Sequence, residues 1–530
     1  MKSRFLIPAV LLLSLALARA DDSAKAKPDD DKKPSKESEE VFTPEEVITT
    51  GTLAGIDYKA IAGTLVVHPK DWDDVKDKEN KDNPTAVASM FYVAYFKKDA
   101  PATSRPITFL YNGGPGSSTV WLHMGAFGPK RVVTADDSHT PAAPYQVVAN
   151  DSSLLDVSDL VFIDAPGTGF SRLAGKDKEK AFFGVDADAY AFSQFIQQFL
   201  SKYGRWNSPK FLFGESYGTP RSAVLVNLLE TEADVDVNGV ILLSQILNFD
   251  LDADSAEGNP SNDLPYEVAL PTYAATAWYH HKLPGERPAD LTKFLGDVEH
   301  FAMTDYALAL QAGAALAPDQ RDAIAEKLHA YTGLPLAYIK KANLRITGGE
   351  FEKNLQDDAD LTTGRLDTRF SGPTLDPLSK ESDYDPQSAS ISSAYVSAFN
   401  DYVRTTLNYG HDRHFQPTIP AYLTWEFKHQ QPGAAFAFPR ATNTIPDLSV
   451  AMKYNPRLKV LLLGGYFDIA TPYFEGVYEM RHLQIPANLQ ANISYHYYQS
   501  GHMVYANEGA LKQLHADVAA FIRSTDNVKD

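Results

Sequence analysis

Apolar and polar positions follow two rhythms along this chain, interrupted by a third regime. From Gly51 to about Tyr95, stretches such as Thr64-Leu65-Val66-Val67 and Phe91-Tyr92-Val93-Ala94-Tyr95 predict antiparallel hairpins that open a sheet. Beyond them the runs shorten and become mostly apolar, at residues 107–111, 210–213 and 459–463. Such runs predict short buried strands. A last strand is expected at 494–499. Helical spacing stands between them. Phe192, Phe195, Ile196, Phe199, Leu200 and Tyr203 recur at i, i+3, i+4 and i+7 over residues 186–203, and Gly204 ends the run. Further helices are expected at 219–229, with Pro220 in the first turn, and at 509–522. Between 250 and 416 the rhythm changes. Helical stretches at 291–310 and 319–331 alternate with polar loops, and no buried-strand pattern occurs.

The N-terminus obeys different rules. Lys2 and Arg4 precede an apolar run over residues 5–17, and Ala18-Arg19-Ala20 offers a small-residue cleavage site. Residues 1–20 are therefore expected to be an export signal, and the protein periplasmic or secreted. That run is short for a bilayer span, and no later segment approaches ~20 uninterrupted apolar residues, so no stable membrane insertion is expected. Residues 21–46, rich in Asp, Lys, Glu, Pro and Ser, are expected to be a disordered linker. The chain has no cysteine among its 530 residues, which excludes disulfides and a thiol nucleophile. An exported protein without disulfides relies on a large core, and this length supports one. The net charge of −19 argues against nucleic acid as a partner.

Candidate chemistry concentrates at strand ends. Gly214-Glu215-Ser216-Tyr217-Gly218 lies between the strand at 210–213 and the helix at 219–229, the setting of a nucleophile elbow. Such a turn is too tight for side chains beside the serine, and it lifts the hydroxyl to the sheet edge at a helix N-terminus. An ordinary strand-to-helix turn capped by serine would read the same locally. The elbow requires an acid and then a histidine later in the chain. Asp468 follows the strand at 459–463, and His502 follows the last strand. An Asp there can also cap a helix, and a loop His can simply be solvated. Upstream, the strand at 107–111 ends in Asn112-Gly113-Gly114-Pro115-Gly116-Ser117-Ser118. This loop lacks phosphate-loop spacing and its lysine, whereas glycines let a backbone N–H approach an oxyanion. His411 and His414 have no H-E-x-x-H pattern or third ligand beside them, so neither a metal nor any other cofactor is expected.

Taken together, the Asn112-Gly113-Gly114-Pro115-Gly116 loop, Asp164-Ala165-Pro166-Gly167-Thr168-Gly169-Phe170-Ser171, the Ser216 elbow and Gly501-His502-Met503 resemble the serine carboxypeptidases, a branch of the α/β-hydrolases. The segment at 271–280 is similar to the bacterial branch. The resemblance implies an α/β-hydrolase fold with a mostly parallel central sheet flanked by helices. Its core would comprise 47–249 and 417–525, with 250–416 a largely helical cap insertion. It implies Ser216 as nucleophile, His502 as general base, Asp468 as orienting acid, and the N–H groups of Gly114 and Tyr217 as the oxyanion hole. Asn112 and Glu215 would bind the carboxylate of a peptide substrate. Two positions depart from the family pattern: Ala126 stands where a second glutamate is usual, and Ser117 replaces a cysteine. An esterase or acyltransferase with the same triad, and a catalytically silent binding protein on this scaffold, are the alternatives.

Overall fold

The computed structural model describes residues 41–78 and 83–528. The expected export signal, and residues 21–40 of the expected linker, lie outside the described residues. The linker's other end is held to the fold. A strand opens at Glu46, and Glu45 accepts from Arg413 while its N–H donates to Thr64 Oγ1 at 3.0 Å.

Ten strands form one sheet: β1 Glu46–Leu53, β2 Ile56–Val67, β3 Val87–Lys97, β4 Ile107–Tyr111, β5 Asp159–Ile163, β6 Arg172–Ala174, β7 Lys210–Glu215, β8 Gly239–Leu243, β9 Lys459–Gly465 and β10 Ile493–Tyr498. Their spatial order is β1-β2-β3-β5-β4-β7-β8-β9-β10, with β6 against β3. The opening strands pair antiparallel, and every neighbour from β5 to β10 is parallel.

Strands β4, β5 and β8 are buried along their whole length because each face meets its own core. Leu110, Phe162, Phe213, Ile241 and Leu461 point to one face, packed with helices Pro386–Thr405 and Glu508–Thr525. Phe109, Val161, Leu212, Leu242 and Leu462 point to the other, under helices Val185–Lys202 and Gly218–Thr231. Alternating side chains facing two helical layers define a doubly covered sheet, the α/β-hydrolase architecture.

A long excursion separates the neighbouring strands β8 and β9. Helices Leu264–Tyr279, Leu291–Phe301 and Pro318–Thr332 surround a third core containing Val268, Leu295, Val298, Leu328 and Phe351. A π-helical turn, Ala302–Tyr306, interrupts the helix expected over 291–310. The last helix before residue 416, Pro386–Thr405, instead buries Ile391, Phe399 and Val403 against the sheet. The sheet core therefore reaches into the stretch expected as an insertion. No helix among the described residues is long and apolar enough to cross a membrane.

Candidate active site

β7 ends at Glu215 and the next helix begins at Gly218, which leaves Ser216 and Tyr217 to make the turn. Ser216 takes φ = +60°, a left-handed conformation uncommon for a residue with a Cβ. The strain is held on both sides. Ser216 N–H donates to Leu243 O at 3.0 Å, and Ser216 O accepts from Thr219 N–H and Oγ1 at 2.8 and 2.7 Å. A Cβ on Gly214 would stand 2.1 Å from Gly218 O, and one on Gly218 would stand 2.9 Å from Tyr111 O. Both flanking glycines are therefore packing requirements of this turn.

The glycine-rich loop after β4 lies against the elbow. A Cβ on Gly113 would come within 2.3 Å of Tyr217 N. Among the described residues neither Gly114 N–H nor Tyr217 N–H has an acceptor. Arg221 braces this arrangement from below. It is buried, donates through Nη1 to Asn112 O at 2.7 Å and pairs through Nε with buried Asp188 at 2.6 Å. Its guanidinium stacks over Phe192 at 4.5 Å and lies 5.6 Å from the Tyr217 ring. Removing one partner of such a buried pair costs about 3–5 kcal/mol.

The loops after β9 and β10 bring Asp468 and His502 together. His502 Nδ1 lies 2.7 Å from Asp468 Oδ2, and both residues are buried. Thr471 fixes the carboxylate by donating from N–H to Oδ1 at 3.1 Å and from Oγ1 to Oδ2 at 2.7 Å. Burial opposes a charge on His502, but Asp468 and Glu215 outweigh it and lift its pKa above the ordinary histidine value. The backbone of His502 is tied at both ends: its N–H donates to Leu366 O at 2.6 Å, and its carbonyl accepts from Ser244 Oγ at 2.7 Å. Asp367 adds a third tie by accepting from Gly501 N–H at 3.2 Å.

Ser216 and His502 line one cleft of about 480 Å³ with Asn112, Gly113, Gly114 and Glu215. No hydrogen bond joins the serine hydroxyl to the imidazole among the described residues; such contacts often tighten only when substrate binds. A larger hollow, about 870 Å³, surrounds Lys210, Asn238 and Lys459 at the opposite strand ends, without a histidine in its lining. The smaller cleft is at the carboxyl ends of the parallel strands, where open α/β sheets bind ligands.

Glu215 is buried beside the serine. Burial pushes its pKa up to about 7, although His502, Tyr505 and Asn112 each pull it down. Asn112 also accepts from Leu122 N–H at 3.1 Å, which orients its amide. Ala126 is buried in the π-helical turn Leu122–Phe127, so no carboxylate enters the cleft from that position. Ser117 lines the cleft and accepts from Trp121 Nε1 at 2.7 Å. The 164–171 motif stays outside it. Asp164 accepts from Thr119 N–H at 2.8 Å, and Ser171 Oγ bridges Phe91 N–H and Asp164 O, which supports the glycine-rich loop from behind.

The sequence reading did not find Thr471, Tyr505, Arg221 or the 364–370 segment. Tyr505 stands three residues after His502, a spacing that offered the one available signal.

The family model described as serine carboxypeptidase matches residues 80–257, which include Asn112, Glu215 and Ser216 but neither Asp468 nor His502. A carboxypeptidase Y homolog of Arthroderma benhamiae is 30% identical over 139 residues, 26% of this chain and 25% of its own. The pheromone-processing carboxypeptidase KEX1 of Clavispora lusitaniae is 32% identical over 123 residues, 23% of this chain and 16% of its own. The chain thus spans a quarter or less of the length of these curated relatives. A proline iminopeptidase structure from Mycobacterium smegmatis overlays with a TM-score of 0.33 and 12% identity, covering 91% of this chain and 100% of its own. Over residues 80–257, which hold its glycine-rich loop and elbow, the chain is similar to the serine carboxypeptidase family.

Proposed function

We propose that this chain is an exported serine carboxypeptidase that removes C-terminal residues from peptides. The observation that carries the reading is His502, paired with buried Asp468, lining one cleft with a left-handed Ser216 and a buried Glu215. In this reading Ser216 Oγ attacks the scissile carbonyl while His502 takes its proton, and Asp468 holds the imidazole tautomer and stabilises the imidazolium. The N–H groups of Gly114 and Tyr217 receive the oxyanion. His502 then gives its proton to the departing amine, and water resolves the acyl-enzyme. Asn112 and Glu215 hold the substrate's terminal carboxylate, with Glu215 donating a proton that its raised pKa retains. Residues 250–416 cap the cleft in this scheme, and residues 1–20 direct export.

Comparing an N-blocked dipeptide with its C-terminal amide tests the proposal. A carboxypeptidase turns over the free acid with the higher kcat/KM. Equal rates, or preference for the amide, would favour an esterase or acyltransferase. Ala126 supports that second reading because the usual second carboxyl donor is missing.

A further inference from the structure

The carboxypeptidase reading, on which this inference rests, brings a negatively charged substrate to a protein of net charge −19. A local cation is needed to offset that repulsion. Among the described residues lining the cleft there is one lysine or arginine, Arg365.

Arg365 sits where the departing residue must lie. His502 has to protonate the leaving nitrogen, so the leaving group occupies the histidine's side of the cleft. Arg365 belongs to the segment bound to that side. Its carbonyl accepts from Ile469 N–H at 3.1 Å, and the next residue, Leu366, accepts from His502 N–H at 2.6 Å. Its own N–H donates to Asp385 Oδ1 at 2.9 Å, at the start of helix Pro386–Thr405. Ser388, Ser392 and Val396 of that helix line the cleft beside it. The backbone carrying the cation is thus fixed to both the acid loop and the histidine loop before substrate arrives.

The side chain itself is divided. Nε donates to Asp254, which lies outside the cleft lining. Neither Nη nitrogen has a hydrogen-bond acceptor among the described residues, and the side chain is 41% exposed. A guanidinium presents two hydrogen-bonding edges, so one can remain on Asp254 while the Nη pair takes a carboxylate in bidentate fashion.

We propose that Arg365 forms a carboxylate-binding subsite on the leaving-group side of the cleft. The carboxylate is either the peptide's α-carboxylate or an acidic side chain on the departing residue. Arg365, held on Asp254 through Nε, supplies the guanidinium donors of its Nη pair, and Asn112 and Glu215 line the same cleft.

The test uses the full chain with Arg365→Gln and Arg365→Lys. Three N-blocked dipeptides serve as probes: one ending in leucine as the free acid, one in leucine amide, and one in glutamic acid α-amide. Loss of the guanidinium should lower kcat/KM for a carboxylate-bearing probe about tenfold or more beyond any change for leucine amide, through KM. Lysine should recover part of that loss. A selective loss on the leucine acid identifies the α-carboxylate; a selective loss on the glutamic acid amide identifies the side chain. A uniform change across all three probes, or none, overturns the proposal, because a structural role through Asp254 would not discriminate. Calorimetric binding of the leucine acid to Ser216→Ala, with and without Arg365→Gln, reads the subsite without turnover. Equal affinities there, or no binding to either, overturn it too. Wild-type peptidase activity with an indifferent Arg365→Gln removes only this subsite, whereas equal wild-type rates on acid and amide remove the carboxypeptidase reading itself.

Discussion

The hydroxyl of Tyr505 reaches both oxygens of Glu215, at 3.0 and 2.9 Å. One donor between two acceptors leaves the carboxyl group room for a proton of its own. Burial retains that proton and raises the pKa to about 7.

This arrangement sets a pH dependence. Below about pH 7 a protonated Glu215 can donate to a substrate carboxylate, and above it two like charges meet. KM for a free-acid peptide should therefore rise as pH increases through 7. Glu215→Gln keeps a donor while its carbonyl still accepts from Tyr505, so the KM profile should flatten; the amide analogue should show no such difference between wild type and variant. An unchanged free-acid profile in Glu215→Gln would remove carboxylate recognition from this residue.

Asp468→Asn should lower kcat by roughly 10⁴, the loss seen when the imidazole of a serine-protease triad is held in the wrong tautomer. The replaced oxygen receives both His502 Nδ1 and Thr471 Oγ1, so an amide nitrogen there would face a donor. Single-turnover kinetics on an activated ester check this. A variant within a few-fold of wild type would assign the acid to another residue.

Gly113→Ala places a methyl group 2.3 Å from Tyr217 N, one of the proposed oxyanion donors. The backbone must shift, and losing one such donor costs about 10²–10³ in kcat. The thermal unfolding midpoint separates this from misfolding. Full activity in the folded variant would place the oxyanion elsewhere.

Stability should be greatest in mild acid and fall above neutrality. Burial raises Glu215 from 4.5 to about 7 and Asp164 from 3.8 to about 7, so between these values the native state holds protons that the unfolded chain has released. Their stabilising effect is complete at low pH and is lost as pH rises through 7. His429 adds the same sign at higher pH. Burial works against its charge, but Asp186 and Asp447, at 2.5 and 2.7 Å, raise it from 6.5 to about 9. Buried His123 opposes them: its pKa falls from 6.5 to about 3, so it destabilises the fold as pH drops below 6.5. Calorimetry across this range should give a higher unfolding midpoint near about pH 6 than near about pH 9. A midpoint that climbs steadily into alkali would contradict these protonation states.

Local pattern determined much of this molecule. The mostly apolar runs at 107–111 and 459–463 became buried strands, and the 3.6-residue spacing from Phe192 to Leu200 became the buried face of helix Val185–Lys202. Gly113, Gly214 and Gly218 could be read from sequence because close approach excludes side chains and leaves one residue type. The sequence also named Asp468 and His502 as candidates, from the chemistry of strand-end loops. Only the tertiary structure set them 2.7 Å apart and supplied their supports. Tyr505 meets Glu215 across 290 positions, and Arg365 meets Asp254 across 111. A tyrosine, a threonine or an arginine in a loop carries no periodicity to announce such a role. Its partner is chosen by how the loops converge at the sheet edge, and that convergence is a property of packing rather than of any local run of residues.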